Sequence, residues 1–346
     1  MDFYPIMTDD GTLSLFNIDI GDVYHSVIGA HTEALGKYVN PSGIKEFAAS
    51  NSSVKILDVC YGLGYNSKVA VSEILKFNPD IDIKIVAVEI DPVVLAFSAI
   101  VGNEIFDEKL NSRFFDEISG QVDIQQIVDE YIEKITENAP KIMPIIQNKL
   151  VGGGTFIHPD NLRSFLHNIY YRTISTRKSI DMKFSPIRLD INYYIEDARL
   201  ALRKLPNSNQ KFDFVFFDPF TPAKVPILWT VEIFKMLYQL LNENGNITTY
   251  SNAAPVRAGL VEAGFYLGQT TPLGKKSSGT IAYKNPAIVK TPLSDKEYGL
   301  LETKAGIPYR DPTLISTNEE ILSKRAEEQN ASDRISTSSY LTQVEN

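Results

Sequence analysis

Four acidic residues and a pair of glycines stand where they could hold and use an adenosine-bearing ligand. The run Asp58-Val59-Cys60-Tyr61-Gly62-Leu63-Gly64-Tyr65-Asn66 contains two residues without a Cβ. The backbone there can turn sharply and approach a ligand closely. It lacks the Gly-Lys-Ser/Thr of a phosphate-binding loop and the third glycine of a dinucleotide fingerprint. Glu89 follows Gly64 by 25 residues, at a spacing where a carboxylate accepts hydrogen bonds from both hydroxyls of a ribose. Farther on, Glu196-Asp197-Ala198 offers an acceptor for an adenine amino group. Asp58, Tyr61, Gly62, Gly64, Tyr65, Asn66, Glu89, Ile90, Asp197 and Ala198 are the expected contacts of such a ligand. Each carboxylate also has a plainer reading: Asp58 as a turn-former, Glu89 as a solvated strand end, Asp197 as a helix N-cap. Their joint position at strand C-termini favours the ligand, because that edge of an α/β sheet is where ligands bind.

Asp218 is the candidate for chemistry. The apolar run Phe214-Val215-Phe216-Phe217 delivers it to a strand end, and Pro219-Phe220-Thr221-Pro222-Ala223-Lys224 shapes a wall beside it. A carboxylate next to an electrophilic methyl suits an amine nucleophile, whose proton it accepts or whose lone pair it orients. Lys224 could meet a phosphate or carboxylate. Trp229, the sole tryptophan, could stack on a substrate or belong to the core.

The elements that must position these residues are strands alternating with helices. Val54–Val59 is a buried strand, followed by the glycine turn and a helix from Ser67 to Phe77. Ile83–Val88 is a second strand ending on Glu89, with a helix after Asp91-Pro92. Strand–helix repetition at this spacing makes parallel βαβ units. The pattern breaks over 102–186, where two long helices are expected, and resumes with Ile187–Tyr194, a helix Ala198–Leu205 and the strand Phe212–Phe217. A helix to Leu241, a strand Asn246–Ser251, a helix Pro255–Ala263 and a hairpin around Gly274–Gly279 complete the core. The expected organisation is an N-terminal extension (1–51), a core (52–101 and 187–291), a helical insertion (102–186) and a polar C-terminal extension (292–346), poorly ordered or loosely docked from Ser323.

The net charge of −9 argues against a polyanionic partner, but its distribution does not. Residues 102–140 hold ten acidic and three basic side chains, whereas 141–188 hold eight basic and two acidic ones. The basic tract is interleaved with Phe156, Phe165, Tyr170, Tyr171 and Phe184, as phosphate contact plus base stacking requires. A solvated helix face with its aromatics in the core is the equal alternative. No apolar stretch approaches the roughly 20 residues of a membrane span. The start Met1-Asp2-Phe3-Tyr4-Pro5 has no signal-peptide pattern, so a cytoplasmic location is expected. One cysteine and four histidines give no metal-ligand spacing.

The segment Phe217-Asp218-Pro219-Phe220-Thr221-Pro222-Ala223-Lys224 with Trp229 resembles the Asp-Gly-Phe-Ala-Pro-Ala-Lys…Trp signature of a methyltransferase family, with Pro219 where glycine is common. That family is the methyltransferase domain of the tRNA 5-methylaminomethyluridine-forming enzyme. Thr249–Arg257 with Ala263-Gly264-Phe265, the loop Leu273-Gly274-Lys275-Lys276, and Tyr24-His25-Ser26 are similar to further segments of it. The likeness runs in patches over roughly residues 10 to 310.

It implies an α/β fold of the class I methyltransferase, Rossmann-like type, mostly parallel with an antiparallel closing hairpin. It also implies S-adenosyl-L-methionine as methyl donor and the aminomethyl nitrogen at C5 of wobble uridine 34 as acceptor, with Asp218 as the catalytic carboxylate. The partner implied is the tRNA anticodon loop, met by Tyr24, His25, Lys224, Trp229, Arg257, Lys275 and Lys276. A separate upstream enzyme would supply the amine, with no FAD domain in this chain. His25 has a plainer reading as a satisfied histidine at a junction. Two rivals remain: an aminopropyltransferase-like or other small-molecule amine transferase, and a non-catalytic adenosine- or RNA-binding module.

Overall fold

A computed structural model describes residues 3–103, 105–147, 153–180, 187–208, 210–273 and 278–345. Its strands are β1 (Phe3–Met7), β2 (Leu13–Asn17), β3 (Asp22–Val23), β4 (Ser53–Val59), β5 (Asp82–Glu89) and β6 (Thr155–Phe156), followed by β7 (Leu189–Ile195), β8 (Phe212–Phe217), β9 (Leu241–Thr249), β10 (Tyr266–Gln269) and β11 (Thr280–Tyr283). The chain divides into two compact units, Met1–Val54 with Cys60–Glu196, and Lys55–Val59 with Asp197–Asn346.

In the first unit, β5 and β7 run parallel, in register from Ile83↔Leu189 to Glu89↔Ile195. Helix Pro92–Ser98 follows β5; Asp91 caps it by accepting from Val93 N, and proline at the first turn forfeits an N–H that has no helical partner anyway. A separate antiparallel sheet has the order β3-β2-β1-β6. Its last strand comes from the insertion, so residues expected as an N-terminal extension and as an insertion share one sheet. Tyr4, fully buried, donates from Oη to Ile157 O at 2.8 Å, and Phe3 stacks on Tyr131 at 4.7 Å.

Among its described residues the insertion holds three helices where two were expected: Glu108–Ser119, Ile124–Ile146 and Pro159–Ser179. Asp107 and Asp123 cap the first two through their carboxylates, and these short polar side chains are the local signals that separate them. Of the aromatics in the basic tract, Tyr170 is buried and Tyr171 is 60% exposed.

In the second unit, β4, β8 and β9 are parallel, Ile56 lying opposite Phe214 and Val215 opposite Ile247. β11 pairs antiparallel with β9, and β10 with β11, so the expected closing hairpin is present. The strand at Asn246–Ser251 begins earlier than read, at Leu241, because the chain passes from helix Val231–Leu240 straight into extended backbone.

The C-terminal extension differs from expectation. Helix Asn318–Ala331 opens with a capping box between Thr317 and Glu320 and buries Ile321. Arg325 donates to Ile307 O and Ala305 O, and Gln329 to Lys304 O. Its polarity misled the sequence reading: most of its side chains do face water, but Arg325 and Gln329 satisfy carbonyls of the preceding segment. Among the described residues, no helix is long and apolar enough to cross a membrane.

Candidate active site

The glycine turn lies in the first unit from Cys60 onward. Cys60, Gly62 and Gly64 all have positive φ, of 64°, 57° and 74°. A non-glycine residue in that region is uncommon, and strain of this kind clusters at functional sites. Tyr61 N donates to Val88 O at 2.9 Å, tying the turn to the end of β5. The Glu89 carboxylate, 6% exposed, accepts from Gly62 N at 2.8 Å with one oxygen and from Ile90 N and Asp91 N at 2.9 and 3.0 Å with the other. Burial raises its pKa to about 7 despite those donors.

Tyr24 packs over the turn: a Cβ added at Gly62 would sit 3.4 Å from its ring. Burial, then the charge of Glu89, raises the Tyr24 pKa and keeps the phenol protonated. Ile90, next to Glu89, is 50% exposed and offers an apolar surface at the same strand end.

The two glycines are not equivalent. A Cβ on Gly64 would stand 2.3 Å from Tyr61 Oη and 2.8 Å from Ser98 Oγ, and Ser98 Oγ donates to Tyr61 Oη at 3.2 Å. Gly64→Ala is therefore expected to cost about 1–3 kcal/mol of stability. Gly62→Ala carries the backbone strain alone, its 3.4 Å contact being ordinary. Urea midpoints of the two variants, at unchanged slope, check this; equal losses would show that the Tyr61–Ser98 contact is irrelevant.

Tyr65 and His25 serve packing. Tyr65 is fully buried and donates to Leu13 O at 3.0 Å. His25 lies edge-on to its ring at 5.1 Å with Nδ1 3.2 Å from Ser14 Oγ. Burial lowers the His25 pKa to about 4, so the ring is neutral. With Ser14 and Tyr65 as partners and 5% of its surface exposed, His25 matches the plainer reading of a satisfied histidine. Asn66 is likewise buried.

In the second unit, Asp58 is fully buried on β4 opposite Phe216 of β8, and Asp218 N donates to Val59 O at 3.2 Å. Asp218 is half-buried just beyond β8. The two carbonyls after it are each held by an aromatic donor: Tyr250 Oη donates to Pro219 O at 2.9 Å, and Trp229 Nε1 to Phe220 O at 2.8 Å. Trp229 is fully buried, edge-on to Phe217 at 5.1 Å and to Tyr250 at 5.9 Å. Stacking of Trp229 on a substrate is thus replaced by a clamp on the Asp218 loop. Sequence reading assigned no role to Tyr250; an aromatic one residue beyond a parallel strand was the available signal. Lys224 is exposed on the same loop.

Asp197 caps helix Ala198–Lys204 by accepting from Arg199 N at 2.8 Å, and the Arg199 guanidinium reaches both of its oxygens. Burial alone would raise the Asp197 pKa, but the hydrogen bonds and charge of Arg199 outweigh it and hold the carboxyl below its usual range. Ala198 is 7% exposed beside it. Arg257, expected to meet RNA, is 5% exposed and donates to Thr280 Oγ1, Glu297 Oε1 and Gly279 O; a guanidinium so occupied cannot reach a phosphate. Lys275 and Lys276 lie outside the described residues.

The strands, the glycine turn and the acidic strand ends define a class I α/β methyltransferase fold. Residues 160–285, which include Asp197 and Asp218, match a family described as S-adenosyl-L-methionine-dependent methyltransferase. This match and the fold are those of S-adenosyl-L-methionine-dependent methyltransferases. Its fold is similar to the crystal structure of MnmC2 from Aquifex aeolicus, with a TM-score of 0.64 and 25% identity over 95% of this chain and 85% of that one. It is 28% identical over 323 residues to an uncharacterized protein of Methanocaldococcus jannaschii, covering 93% of this chain and 71% of that protein. A stretch of 89 residues is 36% identical to the tRNA 5-methylaminomethyl-2-thiouridine biosynthesis bifunctional protein MnmC of Pseudomonas entomophila, 26% of this chain and 13% of that protein. The resemblance drawn from Phe217–Lys224 and Trp229 is borne out at this level.

Proposed function

We propose that this methyltransferase acts on the aminomethyl nitrogen at C5 of a tRNA wobble uridine, with Asp218 as its catalytic carboxylate. The observation that carries the reading is the clamped loop: Tyr250 and Trp229 fix the backbone beside Asp218, as a carboxylate that must meet one nitrogen requires. The name of the relative MnmC, a tRNA 5-methylaminomethyl-2-thiouridine biosynthesis protein, suggests the acceptor class, and the basic tract of helix Pro159–Ser179 supports a nucleic-acid partner.

The turn fits an adenosine-bearing donor, since its two glycines leave the backbone without Cβ atoms and the Glu89 oxygens keep acceptor capacity beyond their three backbone donors. In the first unit, Glu89 would hold the ribose and Ile90 the flat base; Asp197 is proposed separately as an acceptor for an adenine amino group. S-adenosylmethionine, when bound, supplies an electrophilic sulfonium methyl. Asp218 orients the neutral amine and takes the proton that the nitrogen sheds as its new N–C bond forms and the methyl's bond to sulfur breaks, S-adenosylhomocysteine being the leaving group.

The test is methyl transfer from labelled S-adenosylmethionine to bulk tRNA from cells lacking the terminal methylation, followed by nucleoside analysis. Label in the wobble uridine is expected. Label entering a diamine or another small amine, and none entering tRNA, would overturn the tRNA reading and favour the small-molecule transferase.

A further inference from the structure

We propose that Arg199, held by the C-terminal loop around Asp311, is the positioning residue that aims the Asp197 carboxylate at the base of the methyl donor. The proposal rests on the adenosine-site reading above.

A helix N-cap needs only an acceptor for a backbone N–H, which Asp197 already provides to Arg199 N. The arginine adds more. Its Nε lies 3.2 Å from both carboxylate oxygens and its Nη2 2.8 Å from Oδ2. A planar fork of this kind fixes the carboxylate plane as well as its charge. A carboxylate has about four lone-pair sites, so the paired group can still accept from one further donor, such as an exocyclic amino group. The Asp197 side chain is 26% exposed, enough for that contact.

The other end of the guanidinium is fixed just as firmly. Nη1 donates to Ser316 O at 3.0 Å and lies 3.9 Å from Asp311 Oδ2. Asp311 is fully buried and organises its loop by accepting from Thr313 Oγ1, Ser316 Oγ and Ser316 N, while its own N–H donates to Glu232. Arg203 donates to Thr313 O from the same helix. Arg199 therefore cannot swing away from Asp197 without breaking a loop built on a buried carboxylate. A loop of the polar C-terminal extension thereby becomes a support of the donor's base.

The test compares binding of S-adenosylhomocysteine with binding of its hypoxanthine analogue, in which oxygen replaces the exocyclic amino group. Wild type is expected to prefer the adenine compound by about 10- to 100-fold, the worth of one hydrogen bond to a charged acceptor. In Arg199→Met the preference is expected to shrink to about threefold or less, with KM for the donor rising more than kcat falls. Arg199→Lys should keep part of it, because an ammonium cannot span both oxygens.

A folded Arg199→Met protein with undiminished base preference would overturn the proposal and leave the arginine a structural staple. Should that variant not fold, Asp311→Asn reads the same ratio, and an unchanged ratio there overturns the role of the loop. A wild type that binds both compounds equally would overturn the proposal by removing Asp197 from the base. Failure of wild type to bind S-adenosylhomocysteine at all would take the adenosine-site reading down with it.

Discussion

Asp218→Asn lowers kcat for methyl transfer by about 10²–10⁴-fold, the usual contribution of a positioned proton acceptor, while the donor binds as in wild type. The substitution keeps size and planarity, and the backbone bond from residue 218 N–H to Val59 O is unaffected. The Tyr250 and Trp229 clamps act on the carbonyls of Pro219 and Phe220, so they persist as well. Only the charge and basicity of the side chain are lost. Single-turnover rates with saturating donor, together with calorimetric titration of S-adenosylhomocysteine, separate the two effects. A variant that transfers methyl at wild-type speed would remove Asp218 from the chemistry; one that no longer binds donor would make it part of the donor site instead.

Donor affinity rises with pH up to about 7 and then levels, and Glu89→Gln abolishes that rise while weakening binding by about 10²–10³-fold. The buried Glu89 carboxyl, with its pKa raised to about 7, is protonated over part of the neutral range in the donor-free protein. Ribose hydroxyls donate best to the ionised form, so binding must first remove that proton below pH 7. Two hydrogen bonds to a charged acceptor are worth about 1.5–3 kcal/mol each, about 3–6 kcal/mol together; the expected loss lies in the lower half of that range because the glutamine oxygen still accepts. Glutamine also presents an NH₂ to one of the backbone donors, either Gly62 N or the Ile90 and Asp91 pair, and loosens the turn.

The same group makes the opposite contribution to folding of the donor-free protein. Its pKa is raised on folding, so between about 4.5 and 7 the native state holds a proton that the unfolded chain has lost, and stability declines across that window as pH rises. Calorimetric titrations from pH 6 to 8 test the binding claim. A pH-independent affinity in wild type, or equal affinity in Glu89→Gln, would refute it.

Much of this was legible in the sequence because the determinants are local. The apolar strand Phe212–Phe217 ends where its hydrophobic run ends, and the glycines at 62 and 64 mark a turn that the structure builds with positive φ. Asp91 before Pro92 announces a helix start, and the Ser67–Phe77 helix lies within the observed Tyr65–Phe77. These signals act over a few residues, through side-chain period, a missing Cβ or a capping oxygen. Asp218 was placed at its strand end by the same logic.

Which way a polar or aromatic side chain faces was not legible, because that depends on partners far along the chain. Trp229 reads as a stacking platform until Phe217, Tyr250 and the Phe220 carbonyl surround it. Arg257 reads as a phosphate contact until Glu297 and Gly279 take its donors, and His25 as a substrate contact until Tyr65 and Ser14 enclose it. The polar tail reads as loose until its side chains meet the carbonyls of Leu301, Lys304 and Ile307. Sequence alone determined where the strands end and which carboxylates stand there; only tertiary structure decided which of them are caged, clamped or exposed. Burial and these hydrogen-bond partnerships join segments from nine to forty residues apart, beyond the reach of a helical or strand period, and no local pattern encodes them.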